Sequence, residues 1–156
     1  YAEPWHRSSY ERGVLSVPLP EDRPLALIAT ADIGAFAAHV LTHPAAFAGK
    51  RIDLASDELT GPRIAAVLGK AMNRDLRYER APIEVAERHS PDLAAMFRYF
   101  STVGLSVDVA GLRRDYPHIG WHTLTEWAAD RLSQRRPADD RPETSRTPRR
   151  SPAPRT

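Results

Sequence analysis

The chain has 156 residues, room for one domain with a modest core. It carries 22 Lys+Arg against 20 Asp+Glu and no cysteine, which excludes a disulfide scaffold, a thiolate metal site and a cysteine nucleophile. The excess positive charge is local: residues 135–156 hold seven arginines, three acids and five prolines, leaving 15 basic against 17 acidic residues over 1–134. With no aromatic and no aliphatic residue larger than alanine, 135–156 cannot bury enough surface to offset chain entropy. We therefore expect a disordered Arg/Pro-rich tail over 135–156 and a foldable part over 1–134 that is slightly acidic and does not bind nucleic acid. No apolar run approaches the roughly 18 residues of a membrane span, so a cytoplasmic protein without membrane contact is expected.

Along the chain, 1–12 mixes Trp5, His6, Arg7 and Tyr10 without periodicity and suits a surface loop. Val14–Val17 predicts a strand stopped by Pro18 and Pro20. Leu25–Ala29 predicts a second, apolar enough to be buried on both faces. Thr30 and Asp32 open a helix whose stripe is Ile33, Phe36, Ala37, Val40 and Leu41, with Thr30 or Asp32 as its cap and Pro44 at its end. A strand is expected at Arg51–Ala55, then a helix capped by Thr60 with Pro62 in its first turn and Ile64, Val67, Leu68 and Ala71 inward. Leu76–Arg80 alternates as a half-buried strand. Ser90-Pro91 starts a helix with Leu93, Met96, Phe97 and Phe100 on one face, and Asp108 caps a short helix ending before Pro117. Thr123-Leu124-Thr125-Glu126 has the spacing of a capping box, followed by Leu124, Trp127, Ala128 and Leu132 facing inward. Strands alternating with helices define an α/β protein, but about four short strands are too few for a self-sufficient doubly wound sheet.

Recognisable chemistry is sparse. No G-x-G-x-x-G turn and no P-loop occurs, so the backbone N–H groups that cradle a pyrophosphate are missing. His39 and His43 lie i, i+4, yet without an adjacent Glu and with Pro44 following they suit two solvent-facing residues better than zinc ligands. His118 and His122, flanking a turn, are given the same reading, and no metal is expected. No Gly-x-Ser-x-Gly elbow is present, and the residues four before Lys50 and Lys70 are alanines, which excludes a Tyr-x-x-x-Lys pair.

An ordered set of segments carries a resemblance. Gly13-Val14-Leu15, Pro18-Leu19-Pro20, Asp22-Arg23-Pro24-Leu25 and Ala31-Asp32-Ile33-Gly34-Ala35-Phe36 come first. Phe47 to Thr60, Ala94 to Phe100, Leu112-Arg113, Tyr116-Pro117 and Thr123 to Trp127 follow. Together they resemble the NmrA-like family, atypical short-chain dehydrogenase/reductase relatives of the NAD(P)-binding Rossmann superfamily, over about residues 11–130. The resemblance implies the C-terminal, substrate-side part of a Rossmann-like fold with a helical lobe. The N-terminal Gly-rich half is expected upstream of Tyr1, in keeping with a start that is not methionine. It further implies NAD(P) for the full-length parent and none for this chain alone. It places the lobe over the nicotinamide end of the cofactor, which makes Trp5, His6, Met96, Phe97, Tyr99 and Phe100 candidates to line a pocket for a small-molecule substrate. Against that stands the plainer assignment of Met96, Phe97 and Phe100 to the core stripe of their helix, as for Trp127. Two functions follow: an NAD(P)H-dependent oxidoreductase, quinone reductase-like, or a non-catalytic NAD(P)-sensing regulator that binds a protein partner. The upstream sequence discriminates them: a Gly-rich loop plus a proton-donating Tyr or His near the pocket favours the enzyme, and a Gly-rich loop with only apolar pocket residues the sensor. Oligomeric state is not encoded in any motif.

Overall fold

A computed structural model describes residues 11–133, with the side chains of 132 and 133 left out. Trp5, His6, the N-terminal loop, the inward placement of Leu132 and the tail over 135–156 therefore lie outside the described residues.

Strand β1, Val14–Val17, is followed by β2, Pro24–Leu27, helix α1, Thr30–Thr42, and a single turn α2, Pro44–Phe47. Next come β3, Asp57–Thr60, α3, Gly61–Ala71, and β4, Arg77–Arg80. Helices α4, Ile83–His89, α5, Pro91–Thr102, and α6, Val109–Asp115, lead through a 3-10 turn, Pro117–Ile119, to α7, Leu124–Ser133. The mixed α/β class holds, with helix dominating. Among the described residues the strands form two separate pairs: β1 runs parallel to β4 with Leu15 opposite Tyr78, and β2 runs antiparallel to β3 with Leu25 opposite Leu59.

Two apolar clusters organise these elements. The larger joins Leu15, Val17 and Leu19 to Ile64 and Leu68 of α3, Phe97 of α5 and Leu124 and Ala128 of α7. The smaller gathers Phe36, Leu112, Ile119 and Trp121, with Val40, Phe47, Ile52, Leu54 and Tyr116 packed around them. Phe36 is its centre, edge-on to Phe47 at 5.9 Å and to Tyr116 at 5.1 Å.

Helix ends follow the capping chemistry in three places. The Ser90 side chain accepts from the N–H groups of Asp92 and Leu93, and Asp108 from that of Gly111. The Thr123 box is complete: Glu126 Oε2 accepts from the Thr123 N–H at 2.7 Å, and Thr123 Oγ1 from the Glu126 N–H at 3.2 Å. The Thr123 N–H, and after it the Thr123 hydroxyl donating to Glu126 Oε2 at 2.8 Å, hold the Glu126 carboxyl below its usual range.

Other expectations are corrected. Neither Thr30 nor Asp32 caps α1, whose N-cap is Ala29 without a side-chain bond, and Thr60 precedes α3 without one. Ile33, Ala37 and Leu41 of the expected inward stripe are exposed, Leu41 at 79%. Strand β2 is half-buried rather than covered on both faces, because its neighbour β3 is its single partner among the described residues. Arg51–Ala55 is not a strand: no backbone–backbone bond reaches it among the described residues, and the ladder starts at Asp57 instead. Helix α4 carries no sequence expectation; its short Ile83–His89 span packs against α5.

Candidate functional site

Asp32 stands in the first turn of α1, on the face that carries Phe36 and Val40 one and two turns further on. Its side chain is 1% exposed. A carboxylate so buried requires hydrogen-bond donors. It finds both in one residue: the His122 backbone N–H lies 2.9 Å from Oδ2, and His122 Nδ1 2.5 Å from Oδ1.

Three local features bring His122 there. Gly120, at φ 73°, takes the left-handed conformation that ends the 3-10 turn. Trp121 then enters the smaller cluster, donating its indole N–H to the Tyr116 carbonyl at 3.0 Å. Arg113 of α6 donates to the carbonyls of both Trp121, at 3.0 Å, and Ser56, at 2.9 Å, so it ties the segment before His122 to the segment before β3. Asp57 completes the tie by accepting the Leu124 N–H at 2.8 Å.

The result is a pocket of about 180 Å³ between the end of β2, Leu27 to Thr30, the pair Ser56-Asp57, and the start of α7, His122 to Leu124 with Trp127. Its lining joins aliphatic side chains to the imidazole of His122, the hydroxyl-bearing Thr30 and Thr123, and Asp57. The His122 side chain is 39% exposed, so one face of the ring meets solvent while Nδ1 is held by Asp32. The hydrogen bond to Asp32 raises the His122 pKa, opposed by desolvation and aided by the charges of Asp32, Asp130 and Glu126. A histidine fixed at Nδ1 by a buried carboxylate presents Nε2 for proton transfer.

Among the residues expected to line a pocket, Met96, Phe97, Tyr99 and Phe100 are not part of the lining of this one. Phe97 is a core residue at 6% exposure and Phe100 packs half-buried against the same cluster. Met96 and Tyr99 are exposed on α5, and Trp5 and His6 lie outside the described residues. His122 and Asp32 were legible as a flanking histidine and a helix cap. The missed signal is phase: Asp32, Phe36 and Val40 are i, i+4, i+8, so an acid on the apolar stripe had to be buried with a partner. The other expectation of solvent-facing histidines is also amended. His39 is half-buried against Phe47 and Tyr116, with its Nδ1 3.0 Å from His118 Nε2, while His43 and His118 are exposed. Desolvation, then the charges of His118 and His43, lower the His39 pKa. Among the described residues no group of three or more His, Asp or Glu side chains is arranged to hold a metal. Nor is any helix there long and apolar enough to cross a membrane.

The dinucleotide itself does not fit these residues. Two helix starts line the pocket: α1 is entered through Ala29 and carries Asp32 in its first turn, and α7 carries Glu126 in its first turn, where a pyrophosphate needs a glycine turn and no negative charge.

The fold is mixed α/β and matches that of Rossmann-type structures. The NmrA-like family profile matches residues 4–128, and the chain belongs to that family. Among solved structures it is similar to a nucleoside-diphosphate-sugar epimerase from Staphylococcus aureus, with 19% identity and a TM-score of 0.66, over 81% of this chain and 47% of that one. It is also similar to NmrA, a negative transcriptional regulator, in complexes with NAD and with NADP. Each shows 20% identity and a TM-score of 0.56 over 77% of this chain and 43% of that one. The chain thus spans under half the length of these structures. No curated protein sequence matches it.

Proposed function

We propose that the chain is the C-terminal, substrate-side portion of an NAD(P)H-dependent oxidoreductase, quinone reductase-like, acting on a small molecule with a carbonyl group. The observation that carries this reading is the His122–Asp32 pair on the pocket wall. A purely apolar pocket would suit a sensor; an imidazole held by a buried carboxylate supplies the acid such a reduction needs. The redox cofactor, held by a dinucleotide-binding half, supplies hydride when bound. His122 protonates the carbonyl oxygen and is returned to its charged form by solvent at its exposed face. Asp32 fixes the ring and favours its protonated form. Thr30 orients the oxygen, and Leu27, Ile28 and Trp127 hold the apolar body of the substrate.

The test is turnover of NADPH with a set of simple quinones by this chain joined to the dinucleotide-binding half encoded upstream of Tyr1. His122→Asn should lower kcat by about 10²-fold or more with a small change in KM. Activity unchanged by that substitution overturns the role of His122. A protein that binds NADPH yet reduces none of the quinones favours the regulator reading instead.

A further inference from the structure

Three histidines meet where helix α1 ends. The His39 ring stands 4.4 Å, centroid to centroid, from each of the His43 and His118 rings. Spacing in the sequence pairs His39 with His43, one turn further along, but the fold commits them differently. His43 Nδ1 lies 3.0 Å from the His39 carbonyl and 3.0 Å from Thr42 Oγ1, so that nitrogen belongs to the helix end. His39 Nδ1 instead meets His118 Nε2 at 3.0 Å, across a separation of 79 residues, in the 3-10 turn.

Two imidazole nitrogens this close need something between their lone pairs, either a shared proton or a metal ion. Three features of the pair suit an ion. The His39 ring is half-buried and set edge-on to Phe47 at 5.4 Å and to Tyr116 at 5.7 Å, so its nitrogen is fixed in place before a ligand arrives. His118 is exposed, which leaves an open side for the ion and for waters that complete its shell. At metal–nitrogen distances of about 2.0–2.1 Å, nitrogens 3.0 Å apart subtend roughly 90–100° at the ion. That is the angle between neighbouring ligands in square-planar or octahedral coordination, and imidazole in tetragonal geometry suits copper(II) and nickel(II).

We propose that His39 Nδ1 and His118 Nε2 are adjacent ligands of one divalent late first-row metal ion, copper(II) or nickel(II), whose other positions are taken by water. The ion displaces the proton that the two rings otherwise share. The site stands apart from the proposed reaction, yet it bears on the pocket. Helix α1 and the segment from the 3-10 turn to His122 are already joined through Asp32. An ion on His39 and His118 joins the same two stretches again, two turns further along α1 and four residues before His122.

The test uses the chain free of any polyhistidine tag, titrated with nickel chloride in a non-coordinating buffer at about pH 7.5, where imidazoles are neutral enough to ligate. Calorimetry should show a single ion bound per chain, and at saturation Tm should rise by about 5 °C or more. Substoichiometric nickel should broaden the ring signals of His39 and His118 before those of His122 and His89. His118→Gln, at an exposed position where the amide can still hydrogen-bond to His39, should keep the Tm of the ion-free chain. It should lose about tenfold or more in affinity, and the rise in Tm with it. His43→Gln should change neither. No nickel binding, binding that His118→Gln leaves intact, or broadening that reaches His122 first each overturns the proposal. So does binding that His43→Gln abolishes, which would move the site to the i, i+4 pair at the end of α1.

Discussion

Replacing Asp32 with asparagine removes one negative charge from a position that is 1% exposed and keeps the shape of the side chain. The amide oxygen can still accept the His122 backbone N–H, now 2.9 Å away, but the amide nitrogen then faces Nδ1, where the carboxylate stands at 2.5 Å. A protonated ring therefore loses a charge-assisted bond and meets a second donor; a neutral ring can turn its Nδ1 lone pair to that donor. A hydrogen bond to a charged group contributes about 1.5–3 kcal/mol, and the lower half of that range applies because the His122 ring is partly solvated. In a domain of this size about 2 kcal/mol lowers Tm by roughly 6–10 °C. The sign with pH follows from the raised His122 pKa. Stability from that shift is fully present below the unfolded value of about 6.5 and is lost as pH rises through the folded value. Asp32→Asn should consequently cost most near pH 5.5 and progressively less above neutrality, and NMR titration of the His122 ring should move down toward the free-imidazole value. Thermal melts showing the same cost from pH 5.5 to 9, with an unmoved ring titration, would refute the reasoning.

Phe36→Ala should destabilise by about 3–5 kcal/mol, since it empties the centre of the smaller cluster, whereas Thr123→Ala should cost about 1 kcal/mol through its capping bond; denaturant melts giving the reverse ranking would show the helix packing to be wrong. Gly61→Ala should cost about 1–3 kcal/mol, because its new Cβ would lie 2.3 Å from the Tyr78 ring, which is pinned by a 2.6 Å hydroxyl bond to the Leu19 carbonyl; an unchanged melt would mean the ring is free to move. Burial pushes the Tyr78 phenol up to about 12, so ultraviolet titration should show one tyrosine ionising late, and Tyr78→Phe should abolish that step.

Local signals were read well where one residue settles the matter. Ser90, Asp108 and the Thr123–Glu126 pair stand at their helix starts because their oxygens satisfy N–H groups a few residues away. Long-range demands were harder to read. Asp32 looked like a cap because acids favour first turns, yet its partner is 90 residues away and reached through a left-handed glycine. Arg51–Ala55 has strand periodicity, but a strand also needs an edge to pair with, and that is a property of the surroundings. The apolar arc of α1 misled in the same way: Ile33, Ala37 and Leu41 are apolar without being buried among the described residues. Ladder register and the pocket depend on Arg113 and Asp57 bonding across elements, which no spacing rule encodes.

We propose that this chain supplies a substrate wall and an imidazole while another unit of the protein holds the dinucleotide. Calorimetric titration with NADPH tests it most directly, first on the chain as given and then on the protein extended upstream of Tyr1. No saturable binding to the chain alone and micromolar or tighter binding to the extended protein are expected, because the glycine turn that holds a pyrophosphate at a helix N-terminus is not among these residues. A low-micromolar dissociation constant for the chain alone would contradict it.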